Sequence, residues 1–324
     1  SKGMVTLSTD QLGYGYIGVN SAKVNDINLR KAIMCAMNTS LALDYYRAGT
    51  AEQIFWNMSK VSWAYPDTED NGHDYPQYGP WSEDIARSNI EKYMQEAGVS
   101  EGSSDLKVTF TIAGSTLQDH PTYKVFRDAA ALLNDMGWEI TVVCDTQALT
   151  KISTGSLAVW AAAWGSALDP DMYQVYHKNS TATSTKAWGY DYLLTSGNSE
   201  ERKILDDMAG LIEAARETGA ATLGVPVKDT IKLANEKGVI TATPDRSHLW
   251  ATHTPQVFER VRYEASAILA RESGRDFTDD CQLAEAIGCK VYMTTGDYTN
   301  IKITTPEDLI LGEAIAREKD GKTL

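Results

Sequence analysis

The sequence predicts an α/β fold built in two parts. Lys107–Ala113 alternates apolar and polar residues, Tyr123–Met136 is an amphipathic helix, and Glu139–Val143 has the composition of a further strand. A strand, a helix and a strand in this order form a βαβ unit, whose parallel strands need such a crossover. Leu157–Trp164 is a continuous apolar run, which is typical of a buried central strand. These strands are expected to form a parallel or mixed sheet with flanking helices.

The remaining elements of the first part follow from shorter patterns. Aromatic and β-branched residues predict a strand over Tyr14–Asn20. Apolar residues at helical spacing predict helices over Leu29–Tyr46, Ser82–Ala97 and Ser199–Arg216. Together with the βαβ unit, these elements extend the first part to about residue 217.

After residue 217 the pattern changes. Val225–Lys232 and Gly238–Thr243 are strand candidates on either side of a turn-like segment, which predicts a β-hairpin. Three helices are expected to begin at hydroxyl residues, and the first of them to bury Phe258, Val261, Ala265 and Leu269. The helix starts are Thr254-Pro255, Thr278 and Thr305-Pro306, and the short strands between them are Lys290–Thr294 and Asn300–Ile303.

Composition and charge exclude several functions. The 324 residues carry a formal net charge of −14, which argues against nonspecific binding to nucleic acid or to an anionic membrane. The four cysteines, Cys35, Cys144, Cys281 and Cys289, show no C-x-x-C spacing. We therefore expect buried free thiols, with no metal site and no nucleic-acid partner.

Targeting segments are also missing from the sequence as it stands. No run of 18 apolar residues is present, so no membrane-spanning helix is expected. The first residues lack the apolar centre of a signal peptide and have the composition of a domain interior. We expect that a further part of the protein precedes them.

Residues 1–217 resemble the C-terminal part of the peptide/nickel-type (family 5) solute-binding proteins of ABC importers. The resemblance is carried by GYGYIGVN (13–20), NLRKAIMCAMN (28–38), VSWAYP (61–66), AALLNDMGWEITV (130–142) and AVWAAAWGSALDPDMY (158–173). It implies a lobe of a mixed sheet with flanking helices, which binds a peptide or another small molecule outside the cytoplasm. The membrane subunits of an ABC importer would be its partners.

The ligand-binding residues that this resemblance implies are Trp164, Gly165, Asp169 and Asp171. Ligands in α/β sheets bind outside the carboxyl ends of strands, and Trp164 stands at such an end. Trp160, on the same strand, is interpreted as a core side chain rather than a ligand wall. For Trp164, core packing and a ligand wall both stay open. Ala167 stands where peptide-binding members of the family carry an aspartate that pairs with the peptide amine, so simple amine recognition is not expected.

Residues 219–318 look like methylerythritol phosphate cytidylyltransferase, an enzyme of isoprenoid precursor synthesis. The matching stretches are GVPVKDTIKLANEKGVITATPDRSHLWATHTPQVF (224–258) and NIKITTPEDLILGEAI (300–315). The resemblance implies a partial Rossmann-like nucleotidyltransferase segment in the cytoplasm. It also implies that the hairpin at 224–243 is an arm which pairs across a homodimer.

Four residues of this second part are candidates for binding a substrate phosphate. By motif position, Thr230 and Arg246 would contact the partner's sugar phosphate, and Thr254 and Lys302 would lie in the same pocket. Arg forms a fork onto phosphate oxygens, and Lys is a mobile point charge. The alternatives are that Thr254 is a plain helix N-cap and that Arg246 and Lys302 are surface charges.

The cytidylyltransferase family also has a Gly-rich nucleotide loop, and we find no such loop in this sequence. GYGYIG (13–18) resembles one superficially, but it precedes rather than follows a strand, and it lacks the basic residues that should come after the loop. Without the loop, this chain is expected to have no binding site for CTP and Mg²⁺. No cofactor and no catalytic residue are therefore assigned, and we expect no activity from the chain alone.

Three interpretations stay open at this point. The chain is a ligand-binding lobe over 1–217, an incomplete cytidylyltransferase over 218–324, or a composite with neither activity. The two families work in different compartments, and no Gly/Ser/Pro-rich linker separates the two parts near residue 218. These observations favour an abrupt join, whose origin the sequence does not reveal.

Overall fold

The computed structural model describes most of the chain and divides it into two compact units. The division falls between Arg202 and Lys203. The join that the sequence predicts near residue 218 coincides with the end of a helix, Ser199–Thr218, and it stays a prediction. The described residues are 11–55, 58–62, 65, 81–165, 177, 180, 184–197, 199–303 and 305–319.

A four-stranded mixed sheet forms the centre of the first unit. Its strands are β1 (Tyr14–Val19), β2 (Lys107–Ala113), β3 (Glu139–Asp145) and β4 (Val159–Trp164), in the order β1-β4-β2-β3. β2 is parallel to both β3 and β4, and β1 is antiparallel to β4. The predicted α/β class and the predicted mixed sheet are therefore confirmed.

Helices cover this sheet. In chain order they are α1 (Ile27–Cys35), α2 (Glu83–Glu96), α3 (Tyr123–Asp135), α4 (Ala148–Ser153), α5 (Ser184–Ala187) and α6 (Tyr190–Ser196), and α7 (Ser199–Thr218) follows them. The apolar faces of α1, α2 and α3 meet the strands in one core, where the rings of Phe110 and Phe126 lie 5.2 Å apart between centroids. The helices α4 and α5 contribute to a second cluster around Trp160. Phe126 and Leu133 of α3 are fully buried, as the helical spacing predicts.

One predicted helix of the first unit is shorter than expected. The pattern over Leu29–Tyr46 predicts a continuous helix, but α1 ends at Cys35 and a 3₁₀ helix follows over Thr39–Tyr45. Residues 36–38 separate the two helices, and the polar residues Thr39 and Ser40 begin the second one. Ser40 Oγ donates to Asn38 Oδ1 at 2.6 Å, which is the kind of local side-chain bond that competes with helix continuation.

A three-stranded sheet organises the second unit. The chain continues from α7 into β5 (Ala220–Pro226), which lies between β8 (Trp250–Phe258), antiparallel to it, and β9 (Tyr292–Thr295), parallel to it. Leu211 and Ala215 of α7 pack on Ala221 and Leu223 of β5. The other elements are the small strands β6 (Leu233–Ala234) and β7 (Ile240–Ala242), and the helices α8 (Arg260–Ser273), α9 (Asp280–Ala286) and α10 (Pro306–Lys319).

The hairpin is present, but its first strand is not where the sequence places it. Val225–Lys232 is not one strand, because β5 ends at Pro226 and residues 227–232 form a loop. The hairpin consists of β6 and β7, with Leu233 opposite Ala242 and Ala234 opposite Ile240. Asn235 shapes the turn, because its side-chain oxygen accepts from the backbone N–H groups of Lys237 and Val239.

Two further predictions for this unit are wrong. Asn300–Ile303 is not a strand. Thr254-Pro255 does not open a helix, because both residues lie inside β8, joined by a cis peptide bond. Pro255 has no N–H for the ladder, and the pairing of β8 with β5 shifts register in this region, between Thr222 and Gly224.

The helix after β8 buries a different face from the predicted one. The sequence assigns Val261, Ala265 and Leu269 to the core, but Val261 is 69% exposed and Leu269 39% exposed. Ser266 is the buried residue of α8 instead. The helix begins at Arg260 rather than at Pro255, and it packs against α9.

Candidate functional site

The candidate site of the first unit lies at the end of β4. Trp164 is the last residue of this strand, opposite Tyr14 of β1, and its side chain is half-buried. Gly165 is exposed, and a Cβ built on it meets no atom within 4 Å. Asp169 and Asp171 lie outside the described residues, so the structure places two of the four predicted ligand-binding residues.

Trp160, on the same strand, belongs to the core. It is 2% exposed and packs with Ala148, Leu157 and Ala187. The facing residue of β1 is Gly18, whose lack of a side chain makes room for the indole ring. Trp164 is therefore the tryptophan of this strand that a ligand can reach.

The candidate site of the second unit is built at the carboxyl end of β5. Two backbone hydrogen bonds join the end of β5 and the residue after it to their neighbours, which are the segment before β8 and the loop after β9. Val227 N donates to Leu249 O at 3.0 Å, and Gly296 N donates to Gly224 O at 2.8 Å. Three segments, distant in sequence, thus meet at one end of the sheet.

Arg246 lies on the first of these segments. It begins a short 3₁₀ turn over Arg246–His248, and Nη1 of its guanidinium donates to the carbonyl oxygen of Lys228 at 2.8 Å. Asp245 caps the turn by accepting from the backbone N–H and the hydroxyl of Ser247, and these bonds hold the pKa of Asp245 below its ordinary value. Arg has five N–H donors, so an exposed guanidinium held by one of them can still bind an anion.

Thr254 and Lys302 are linked through the loop after β9. The side-chain amide of Asn300 donates to the carbonyl oxygen of Thr254 at 2.7 Å, and Lys302 follows two residues later with its side chain exposed. The N-cap alternative for Thr254 is wrong, because the residue lies inside a strand. Thr254 is exposed on this strand.

The loop itself is held by Asp297. Its carboxylate accepts from the backbone N–H and the hydroxyl of Thr299, both at 2.8 Å, and pairs with Lys203 at 3.4 Å. The hydrogen bonds from Thr299, followed by the charge of Lys203, hold the pKa of Asp297 below its ordinary value. The loop is therefore anchored on both sides of Tyr298.

Tyr298 connects the segments that carry Lys228 and Arg246 to the loop that leads to Lys302. Its hydroxyl donates to Pro226 O at 2.7 Å, and its ring centroid lies 3.6 Å from the ammonium nitrogen of Lys228. Lys228 stands two residues before Thr230, which is exposed in the loop between β5 and β6. The structure thus brings together the segments that carry Thr230 and Arg246, and likewise those that carry Thr254 and Lys302.

Three residues of this arrangement were not predicted from the sequence, namely Lys228, Tyr298 and Asn300. Lys228 and Asn300 lie inside the motifs VKDTIK and NIKIT, so the signal was present in the sequence. Tyr298 precedes the second motif by two residues and carries no pattern of its own. Only the folded chain shows that its ring contacts Lys228.

A small polar cavity of about 290 Å³ lies on the sheet of the same unit. Its lining includes Thr222, Thr252, Thr278 and Asp279, and Asp279 accepts from the side chain of Gln256 at 3.0 Å. Cys281 also lines it, but burial raises the pKa of this thiol to about 12. The cysteine is therefore protonated at neutral pH and is not a nucleophile.

Metal ligands do not gather in the described part of the chain. No three His, Cys, Asp or Glu side chains there come together in a way that could hold an ion. The cysteines at 35, 144, 281 and 289 are free thiols. Among the described helices, none is long and apolar enough to span a bilayer.

Exposed Arg, Lys and Thr side chains lie on the segments around the carboxyl end of β5, and side chains of these types are suited to binding phosphate groups. The family model for 2-C-methyl-D-erythritol 4-phosphate cytidylyltransferase matches residues 202–318. This match covers the second unit as far as residue 318, and it confirms the second resemblance.

Curated relatives agree with this match. The cytidylyltransferase of Desulforamulus reducens is 47% identical over 114 residues, which are 35% of this chain and 49% of the relative. The enzyme of Caldanaerobacter subterraneus subsp. tengcongensis is 52% identical over 107 residues, or 33% of this chain and 47% of the relative. The chain spans about half the length of the curated relatives it matches.

Solved structures resemble both parts of the chain. One is 4-diphosphocytidyl-2C-methyl-D-erythritol synthase, with 33% identity and a TM-score of 0.29 over 35% of this chain and 50% of that one. Another is the oligopeptide-binding protein AppA from Bacillus subtilis, in complex with a nonapeptide. It has 20% identity and a TM-score of 0.42 over 61% of this chain and 39% of AppA.

Proposed function

We propose that the second unit is the substrate-phosphate half of a methylerythritol phosphate cytidylyltransferase. The observation that supports this most strongly is the hydrogen bond from Arg246 to Lys228 O, together with the bond from Asn300 to Thr254 O. These bonds hold two cationic segments at one end of the sheet. Arg246 and Lys302 would then bind the sugar phosphate, and Thr230 and Thr254 would donate hydroxyl groups to it.

CTP and Mg²⁺ belong to the other half of such an enzyme. The described residues hold no metal-binding cluster, and the sequence has no Gly-rich loop for the triphosphate. Mg²⁺ would neutralise the phosphate charge during transfer when it is bound there. The chain alone would bind the sugar phosphate but would not transfer a cytidylyl group to it.

Calorimetric titration with methylerythritol phosphate tests this assignment. We expect Lys302→Ala and Arg246→Ala each to weaken binding by roughly 10- to 100-fold, because hydrogen bonds to charged groups contribute about 1.5–3 kcal/mol. Arg246→Lys should recover only part of the loss, since it lacks the planar fork. With CTP and magnesium added, the same preparation should release no pyrophosphate.

Lys290→Ala is the matched control, because Lys290 is also an exposed lysine of the second unit but lies outside the three segments of the site. It should leave the affinity unchanged. Equal affinities for wild type, Lys302→Ala and Arg246→Ala would contradict the phosphate assignment. Pyrophosphate release above background would contradict the claim of inactivity.

A second candidate function concerns the first unit, which we propose to be a ligand-binding lobe of the solute-binding type. The observation that favours it is Trp164, half-buried at the end of β4 and followed by an exposed glycine. An aromatic side chain in this position can hold the apolar part of a peptide, while the glycine leaves the backbone accessible. Importer membrane subunits would be the partners of the complete protein.

A peptide library screened by thermal shift would test this second candidate. For any peptide that binds, Trp164→Ala should weaken the affinity about tenfold or more, because the main apolar contact is lost. Trp188→Ala is the control, since Trp188 packs on the neighbouring cluster around Ala148 and Leu157 instead of ending the strand. A bound peptide whose affinity survives Trp164→Ala would rule out this site.

A further inference from the structure

Tyr298 contacts the chain that leaves β5 in two ways. Its hydroxyl donates to Pro226 O at 2.7 Å, and its ring lies under the Lys228 ammonium, 3.6 Å from nitrogen to ring centroid. Arg246 also binds Lys228, because its guanidinium group donates to the Lys228 carbonyl oxygen at 2.8 Å. Lys228 is thus fixed at both its carbonyl and its ammonium group.

The loop that carries Tyr298 is itself anchored. Asp297 accepts from both the N–H and the hydroxyl of Thr299, and Asn300 N donates to Asp297 O at 3.0 Å. The Asn300 side chain then reaches Thr254 O. A tyrosine in so constrained a loop has little freedom, so its ring is a fixed platform for a cation.

Lys228 would otherwise be a mobile side chain. It is exposed, and a free lysine loses side-chain entropy when it binds an anion. An ammonium group held over an aromatic ring has already lost part of its side-chain entropy before an anion binds. The ring therefore favours a position of Lys228 close to the loop that leads to Lys302.

We propose that Tyr298 is a positioning residue, which holds Lys228 as a third phosphate-binding cation and couples the segment 226–230 to the loop 297–302. This inference rests on the function proposed for the second unit and adds two residues to its site. Tyr298 acts through Lys228 and does not itself touch the phosphate. Its hydroxyl fixes the strand end, and its ring fixes the ammonium group.

Two variants separate these roles. Tyr298→Phe removes the hydroxyl and keeps the ring, whereas Tyr298→Leu removes both. Tyr292→Leu is the matched control, because Tyr292 is 48% exposed on β9 and Tyr298 is 44% exposed. Lys228→Met, alone and combined with Tyr298→Leu, completes a double-mutant cycle.

The first readout is the NMR shift of the Lys228 ε-methylene group in the full chain. Ring currents should move it upfield in wild type, in Tyr298→Phe and in the Tyr292→Leu control, and the displacement should vanish in Tyr298→Leu. A merely structural role of the hydroxyl group would not produce this pattern. A Lys228 shift at the ordinary lysine value in wild type overturns the proposal directly.

The second readout is the affinity for methylerythritol phosphate and, separately, for inorganic phosphate. Tyr298→Leu should weaken binding by about two- to fivefold, as expected for an exposed cation–π pair, and should have no further effect when Lys228→Met is present. If wild type binds and Tyr298→Leu binds equally well, the positioning role is wrong while the proposed function stands. If wild type binds neither compound, the proposed function fails and the positioning role fails with it.

Discussion

The full chain should sediment as a dimer, and Leu233→Asp with Ile240→Asp should convert it to a monomer. The segment 224–243, which contains the hairpin of β6 and β7, carries four large apolar side chains that the single chain leaves in water, namely Ile231, Leu233, Val239 and Ile240, which are 39–59% exposed. An isolated two-stranded hairpin is marginally stable in water. Burying these half-exposed side chains against a second copy would contribute roughly 3–6 kcal/mol per chain as an upper bound.

A two-fold axis is the simplest arrangement for such an arm, because the same patch then meets its own copy. Sedimentation equilibrium measures the mass directly. Leu149→Asp is the control, since Leu149 is 70% exposed in the first unit, and this variant should stay dimeric. The dimer proposal would be wrong if the wild type sediments at the mass of one chain and if hydrogen exchange shows that the amides of β6 and β7 are unprotected.

Gly18→Ala should destabilise the first unit by roughly 1–3 kcal/mol, the usual cost of overpacking a filled core. Gly18 faces Trp160 across the pairing of β1 with β4. A Cβ at residue 18 would lie 2.3 Å from Trp160 Cζ2, and Trp160 is 2% exposed. Urea unfolding, followed by tryptophan fluorescence, measures the loss.

Gly15→Ala is the matched control on the same strand. The Cβ built at residue 15 meets its nearest atom, Ala162 O, at 3.9 Å, which is ordinary contact. Its unfolding midpoint should equal that of wild type or rise slightly, because alanine also restricts the unfolded chain. Equal midpoints for the two variants would mean that Trp160 has room that the structure does not show.

The strands of the first unit were predictable because their signals are local. Lys107–Ala113 alternates with period two, and Val159–Trp164 is apolar throughout. Each pattern matches one environment, a half-exposed strand or a buried one, whatever the rest of the chain does. The parallel pairing of β2 with β3 then follows from the helix between them.

In the second unit, local sequence patterns predicted some elements wrongly. Thr254-Pro255 has the form of a helix start, because a hydroxyl residue before proline caps many helices. The pairing of β8 with β5 outweighs that preference, since the strand forms ladder bonds on both sides of Pro255. The apolar face of α8 was misassigned for the same reason, because Ser266 is the residue that packing buries.

The sequence alone identified the side chains that we propose to bind a phosphate, since Thr230, Arg246, Thr254 and Lys302 lie in recognisable motifs. It could not determine how they are held, because the bonds from Arg246 to Lys228 O and from Tyr298 to Pro226 O join residues far apart in the chain. Such contacts depend on the order of strands at one end of a sheet. No residue pattern along the chain encodes that order, and only the tertiary structure decides it.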